Sequence, residues 1–253
     1  MDILILRFDA PLMSFGAPIV DRHGVIQPYP AQSMIAGLLA NALGYDHSEF
    51  DRLQRLQERL QYASRQDRKG QRLQDYQTVD LSKPYMDDDG AWTTRGELEK
   101  RKGGSASTGT HIRLRDYWAD AIHTVALTLD PADQSPTIDE IAAALQHPER
   151  PLFIGRKTCL PADALFLDRL QAEDLRDALT RIEPADRADA GASFSAWWPV
   201  HPDSEPPSEE DSSTENMRRP VTDRRDWQNQ IHVGERWIAE GEITVINDDK
   251  SDA

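Results

Sequence analysis

Residues 3–8 read Ile-Leu-Ile-Leu-Arg-Phe, an apolar run broken only by Arg7. A strand of that composition has to be covered on both faces, which places it at the centre of a sheet. The 253 residues allow one elaborated domain, or a domain with a smaller second lobe. Residues 9–30 follow, rich in Pro and Gly, an irregular stretch long enough to carry function. Pro30 suits the first turn of a helix whose Met34, Ile35, Leu38, Leu39 and Ala42 share one face, with Gly44 placed to end it.

The same periodicities organise what comes next. Leu53, Leu56 and Leu60 predict a helix over 50–60, and strands over 61–67 and 72–81 flank the turn residues Lys69 and Gly70. Residues 82–110 have almost no apolar periodicity and read as an insertion projecting from the core. A strand at 122–129 ends at Asp130 and Pro131. Thr137 and Glu140 form a capping-box pattern ahead of Ile141, Ala144 and Leu145, and Pro148 and Pro151 stop that helix. Residues 152–167 read as extended, 168–180 as helical, 194–200 as a segment holding the Trp197–Trp198 pair, and 227–246 as two short strands. Strand, helix, two strands, strand and helix, with further extended material at 152–167, come close to the βαββαβ order and make an α+β chain: a ferredoxin-like domain over 1–167 with a long insertion between its central strands, and a smaller β-rich C-terminal lobe over 168–253.

Formal net charge is −15, from 44 acidic and 29 basic residues, which argues against a surface built for nonspecific nucleic-acid binding. A nucleic-acid role would therefore have to rest on local charge. Much of the excess lies at 86–90, in the last residues, and in 202–216, whose composition is that of a disordered acidic loop. The single cysteine, Cys159, excludes an internal disulfide and suits a reducing compartment. With no secretory lead in MDILILRFD and no apolar stretch of roughly 20 residues, the expectation is a cytoplasmic protein without a membrane partner.

No phosphate-binding glycine turn, dinucleotide fingerprint, zinc helix or serine elbow occurs, and the seven histidines show no ligand spacing. Neither cofactor, metal nor catalytic group is expected; His123 is read as packed in its strand. The informative stretch is 95–115, RGELEKRKGGSASTGTHIRLR, in which Arg95, Lys100, Arg101, Lys102, His111, Arg113 and Arg115 face only Glu97 and Glu99. Arginine forks and lysine points suit phosphodiester oxygens, and Gly103, Gly104 and Gly109 let backbone amides approach them. A second candidate is the loop bearing Arg22, His23, Gln32 and Ser33, ahead of a helix N-terminus where phosphate or carbonyl oxygens can bind. Arg156 and Lys157, after Gly155, form a third, and Tyr76 is placed to stack on a base, although such aromatics more often belong to the core.

Four blocks carry a family resemblance: the segment from LRFDAPLMSFGAP to AGLLANALGY, DYQTV at 75–79, LRDYWADAIHTVAL at 114–127, and RPLFIGRKTCLPADALFL at 150–167. In this order they resemble the CasD family of the RAMP superfamily, the handle-binding subunits of the type I-E CRISPR surveillance complex Cascade. The resemblance is loose beyond residue 168. It implies a ferredoxin-like (RRM-like) domain with a thumb hairpin at about 80–113. It also implies a non-catalytic subunit that holds the 5′ repeat-derived handle of the guide RNA, caps the filament of backbone subunits and meets the large subunit. Target DNA would be reached only through the complex. Carried onto this chain, the handle contacts fall on Arg22, Gln32, Ser33, the thumb cations and the 155–157 turn. The rival reading follows type I-C relatives, which cleave precursor RNA without metal; His23 or His111 would then be the general base.

Overall fold

The computed structural model describes residues 1–17, 23–80, 90–92, 98–100, 110–201 and 217–246. In chain order, strands β1 (Asp2–Asp9), β2 (Leu12–Met13) and β3 (His23–Gly24) lead into helices α1 (Gln32–Ala42) and α2 (Phe50–Arg59). Strands β4 (Leu60–Arg68), β5 (Gln71–Asp80), β6 (Gly90–Trp92), β7 (Leu98–Lys100), β8 (Thr110–Ala119) and β9 (Ile122–Leu129) precede helix α3 (Ile138–Gln146). Then come β10 (Phe166–Gln171), helix α4 (Leu175–Arg181), β11 (Ser193–Val200), β12 (Met217–Val221), β13 (Arg225–Asp226), β14 (Ile231–His232) and β15 (Arg236–Thr244).

Seven strands form one antiparallel sheet in the order β10-β1-β9-β4-β11-β15-β12. The run at 3–8 lies inside it and is covered on both sides. Leu4, Leu6 and Phe8 pack in the core beneath α1, α2 and α3, whereas Ile3 and Ile5 join Leu175, Ala178 and Leu179 of α4 on the opposite face. The alternation of strand side chains thus puts a helical layer on each surface. The sheet runs through residue 168: β10 pairs with β1, and β11 extends from β4. No helix among the described residues is long and apolar enough to cross a membrane.

The helices follow their local chemistry, with two corrections. Thr137 accepts the Glu140 amide at 3.3 Å and the Glu140 carboxylate accepts the Thr137 amide at 2.6 Å, the reciprocal box read from sequence. Gly44, at φ +76°, follows the end of α1 as expected. Pro30, in contrast, stands before α1 rather than in its first turn, because Ala31 is extended and the helix begins at Gln32. The helix expected over 168–180 is confined to α4, whose cap is Asp174; Phe166–Gln171 is drawn into the free edge of β1 instead. Residues 152–165 are irregular, not extended, and are drawn together by the bonds Ile154 N–H to Cys159 O and Cys159 N–H to Arg156 O.

His123 sits fully buried in β9, 3.2 Å from Ser64 Oγ and edge-on to Phe15 at 4.9 Å between ring centres. Burial drives its pKa down to about 3, with Asp67 opposing. An unfolded histidine binds a proton near pH 6.5, so below that pH the unfolded state holds a proton that the folded state refuses. Stability is therefore expected to fall as pH drops from about 6.5 toward 3, at up to about 1.4 kcal/mol per pH unit from this residue alone. Thermal melts at several pH values in this window should show a shallower slope for His123→Gln than for the parent; parallel slopes would refute the assignment.

Candidate nucleic-acid interface

Most of the insertion expected at 82–110 lies outside the described residues, but an arm begins before it in the sequence. Two long chain segments, 60–80 and 110–129, run antiparallel and both break at one level. β4 pairs with β9 in the main sheet, whereas β5 pairs with β8 in a second sheet, from Gln71↔Ala119 to Asp80↔Thr110. The break is set by backbone shape. Gly70 has φ +64°, and a Cβ there would lie 2.5 Å from the Ala119 carbonyl oxygen; Asp120 opposite has φ +58°. Arg68 bridges Asp120 at 2.7 Å and the Lys69 amide donates to Asp189 at 2.8 Å, fixing the root of the arm to the main body.

Arg113 and Arg115 alternate on β8 and share one face with Tyr117. Their cross-strand partners are Gln77 and Asp75. Arg113 is exposed and Arg115 half-buried. On the other edge of β8, β3 runs parallel, setting His23 opposite Leu114 and Gly24 opposite Arg115. Arg156 completes the junction: Nη1 donates to Asp116 O at 2.9 Å, Nη2 to Gly24 O at 3.2 Å, and the guanidinium lies 4.7 Å over the Tyr117 ring. A side-chain carbon at Gly24 would meet both the Arg156 and Arg115 guanidinium groups within 2.9 Å. Gly155 sets Arg156 in place with φ +94°, pressed so close to Ser14 that a Cβ would fall 1.9 Å from its carbonyl oxygen. The structure thus gathers His23, Arg113, Arg115, Arg156 and exposed Lys157 from three segments read separately in the sequence. Arg156, however, is already a structural clamp.

The opposite face of the arm holds a pair that sequence reading overlooked. Buried Asp116 accepts from Arg72 and, at 3.1 Å, from Gln74. Burial acts to raise its pKa, but these two donors, with the Arg72 charge, hold it below the ordinary aspartate value. Strand alternation of Arg72 and Gln74 was the available signal. Tyr76, beyond them on the same face of β5, is 60 % exposed and so is not a core residue.

The loop before α1 is the main correction. Its expected phosphate site, the open helix N-terminus, is occupied from within. Gln32 N–H donates to Asp223 Oδ2 at 3.1 Å and Ser33 N–H to Asp223 O at 3.0 Å, replacing the cap that Ala31 cannot supply. The Gln32 side chain is buried: Nε2 donates to Gln57 O and Leu60 O at 2.8 and 2.9 Å, and Oε1 accepts from Arg224 at 3.1 Å. It holds the fold together and is not presented to a base. Ser33 is half-buried beside it. Arg22, Arg95, Arg101, Lys102, the 103–109 tip and the acidic stretch 202–216 lie outside the described residues; Lys100 and His111 belong to β7 and β8 through their backbones. Among the described residues no group of three or more His, Cys, Asp or Glu side chains could hold a metal ion.

Against known proteins, residues 3–239 match the family model described as CRISPR-associated protein (Cas_Cas5). The chain is 32% identical over 183 residues to the CRISPR system Cascade subunit CasD of Escherichia coli (strain K12), covering 72% of this chain and 77% of that one. It superimposes on a chain of a CRISPR RNA-guided surveillance complex with TM-score 0.64 and 24% identity, over 96% of this chain and 90% of the other. A crystal structure of a Cas protein gives TM-score 0.62 and 22% identity, over 96% and 95%.

Proposed function

The chain belongs to the CRISPR-associated Cas5 family, and from that premise we propose that it is a non-catalytic, guide-RNA-binding subunit of a Cascade-type surveillance complex, of type I-E. Its relative in Escherichia coli carries the name of a Cascade subunit. The observation that carries the RNA-binding part is the junction at β8, where Arg113, Arg115 and Lys157 collect on an otherwise acidic chain beside the loop at His23. Phosphates of the 5′ repeat-derived handle would lie along these cations, and exposed Tyr76, on the other face of the arm, would stack on a base of RNA that passes round it. The strand order β10-β1-β9-β4, with α1 to α3 on one face, supports reading a ferredoxin-like unit that runs past the expected boundary at 167 to the end of β10, with the β5–β8 arm as its thumb. Strands β11, β12 and β15 would then be the smaller C-terminal lobe. In the assembled complex the subunit caps the backbone filament and meets the large subunit.

Sequencing the RNA that co-purifies with the complex tests this reading, and a common 5′ repeat-derived end is the expected result. RNA without a shared 5′ end would count against handle binding. Incubating the purified chain with repeat RNA in chelator tests the non-catalytic part: specific cleavage lost in His23→Ala would establish a nuclease instead.

A further inference from the structure

We infer that the C-terminal segment around Asp223 and Arg236 is the positioning element of the RNA-contacting loop, although it stands away from the cations of the arm. The inference rests on the reading of residues 23–31 as part of the RNA surface. Two anchors hold that loop. At the arm, Gly24 lies along β8, Gln27 N–H donates to Phe15 O at 2.7 Å, and Trp118 Nε1 donates to Gln27 O at 2.7 Å. At the other end the ties to Pro30 and to the Gln32 and Ser33 amides lead to the C-terminal segment, directly through Asp223 or by way of Tyr62. Arg236 grips both carboxylate oxygens of Asp223, at 2.8 and 2.6 Å, and also donates to the Tyr62 hydroxyl. That hydroxyl donates to Pro30 O, and Asp223 takes the Gln32 and Ser33 amides.

The network is buried, and Tyr62 and Arg236 are each held in one protonation state. Burial pushes the Tyr62 phenol up, keeping it a donor, while Tyr62 and Asp223 keep Arg236 charged against its own burial. Asp223 and Tyr62 therefore fix where Pro30 and the start of α1 stand, and so set the far end of the loop whose near end, His23 and Gly24, is paired with β8 beside Arg115. Phosphate contacts made by the arm do not need this arrangement; discrimination between RNA sequences does, because it requires the loop at a fixed distance from the cations.

Tyr62→Phe removes the link to Pro30 without changing charge. With full-length protein, a fluorescent repeat-derived RNA and a scrambled RNA of equal length, the expected result is a roughly tenfold loss of discrimination, equivalent to about 1.4 kcal/mol. Affinity for the scrambled RNA and its salt dependence should stay unchanged, and hydrogen exchange should quicken at residues 25–31. Faster exchange with undiminished discrimination would overturn the inference, and so would unchanged exchange. Should Tyr62→Phe fail to fold, Asp223→Asn, which weakens the Arg236 pair behind Tyr62 while keeping an acceptor for the Gln32 amide, takes the same test. Failure of the underlying RNA reading looks different: the parent protein would not discriminate either.

Discussion

Asp223→Ala is expected to destabilise the chain by about 3–5 kcal/mol, the usual cost of stripping one partner from a buried ion pair. Asp223 is 1% exposed and its two oxygens take three donors: two from Arg236 and the Gln32 amide. Alanine would leave a guanidinium buried without its counter-charge and a helix N-terminus without its acceptor. For a chain of this size that corresponds to a drop in melting temperature of roughly 6–20 °C. The companion change decides the cause. In Asp223→Ala/Arg236→Met both charges are gone, so much of the loss should be recovered; Asp223→Asn, which keeps an acceptor for Gln32, should fall between. A single variant that melts within a degree or two of the parent would show that the pair is dispensable.

That buried pair also marks where sequence reasoning stops. Elements whose signals are local were legible: Ile35, Leu38, Leu39 and Ala42 of α1 are buried as their spacing requires, and the Thr137–Glu140 box is complete before any tertiary contact is considered. The exposed helix terminus was not legible as closed, since the residue that closes it comes 191 positions later. Gln32 looked like a reader of bases because it is polar and precedes a helix; its burial depends on carbonyls of Gln57 and Leu60, left open where α2 gives way to β4. Arg156 looked like a free cation, yet it joins β8 to β3 through two backbone carbonyls. The 168–180 stretch failed for the reverse reason. A helical pattern there loses its first half to strand β10 because β1 would otherwise present an unpaired edge. Arg113 and Arg115 were singled out because a cluster of cations along the chain is itself a local signal, and only their meeting with His23 and Lys157 required the fold.

Reversing those two arginines should have the largest effect on binding. In Arg113→Glu/Arg115→Glu, each lost charge-assisted hydrogen bond is worth about 1.5–3 kcal/mol, so affinity for repeat-derived RNA is expected to fall by roughly a hundredfold or more. The stronger evidence is the salt dependence. Two fewer phosphates neutralised should flatten the plot of log affinity against log salt by about 1.4, at about 0.7 per single-stranded phosphate. Loss of fold would lower affinity too, but it would also shift the melting temperature. That shift should be small here, because Arg113 is exposed and neither arginine has an ion-pair partner among the described residues. The control is Arg181→Glu, which removes the surface pair with Asp177 and a 3.5 Å hydrogen bond to the Gln171 carbonyl and should leave RNA binding as it was. If the double reversal left both affinity and slope at parental values, the cations at the root of the arm would not be touching RNA, and the binding surface would have to be sought elsewhere on the molecule.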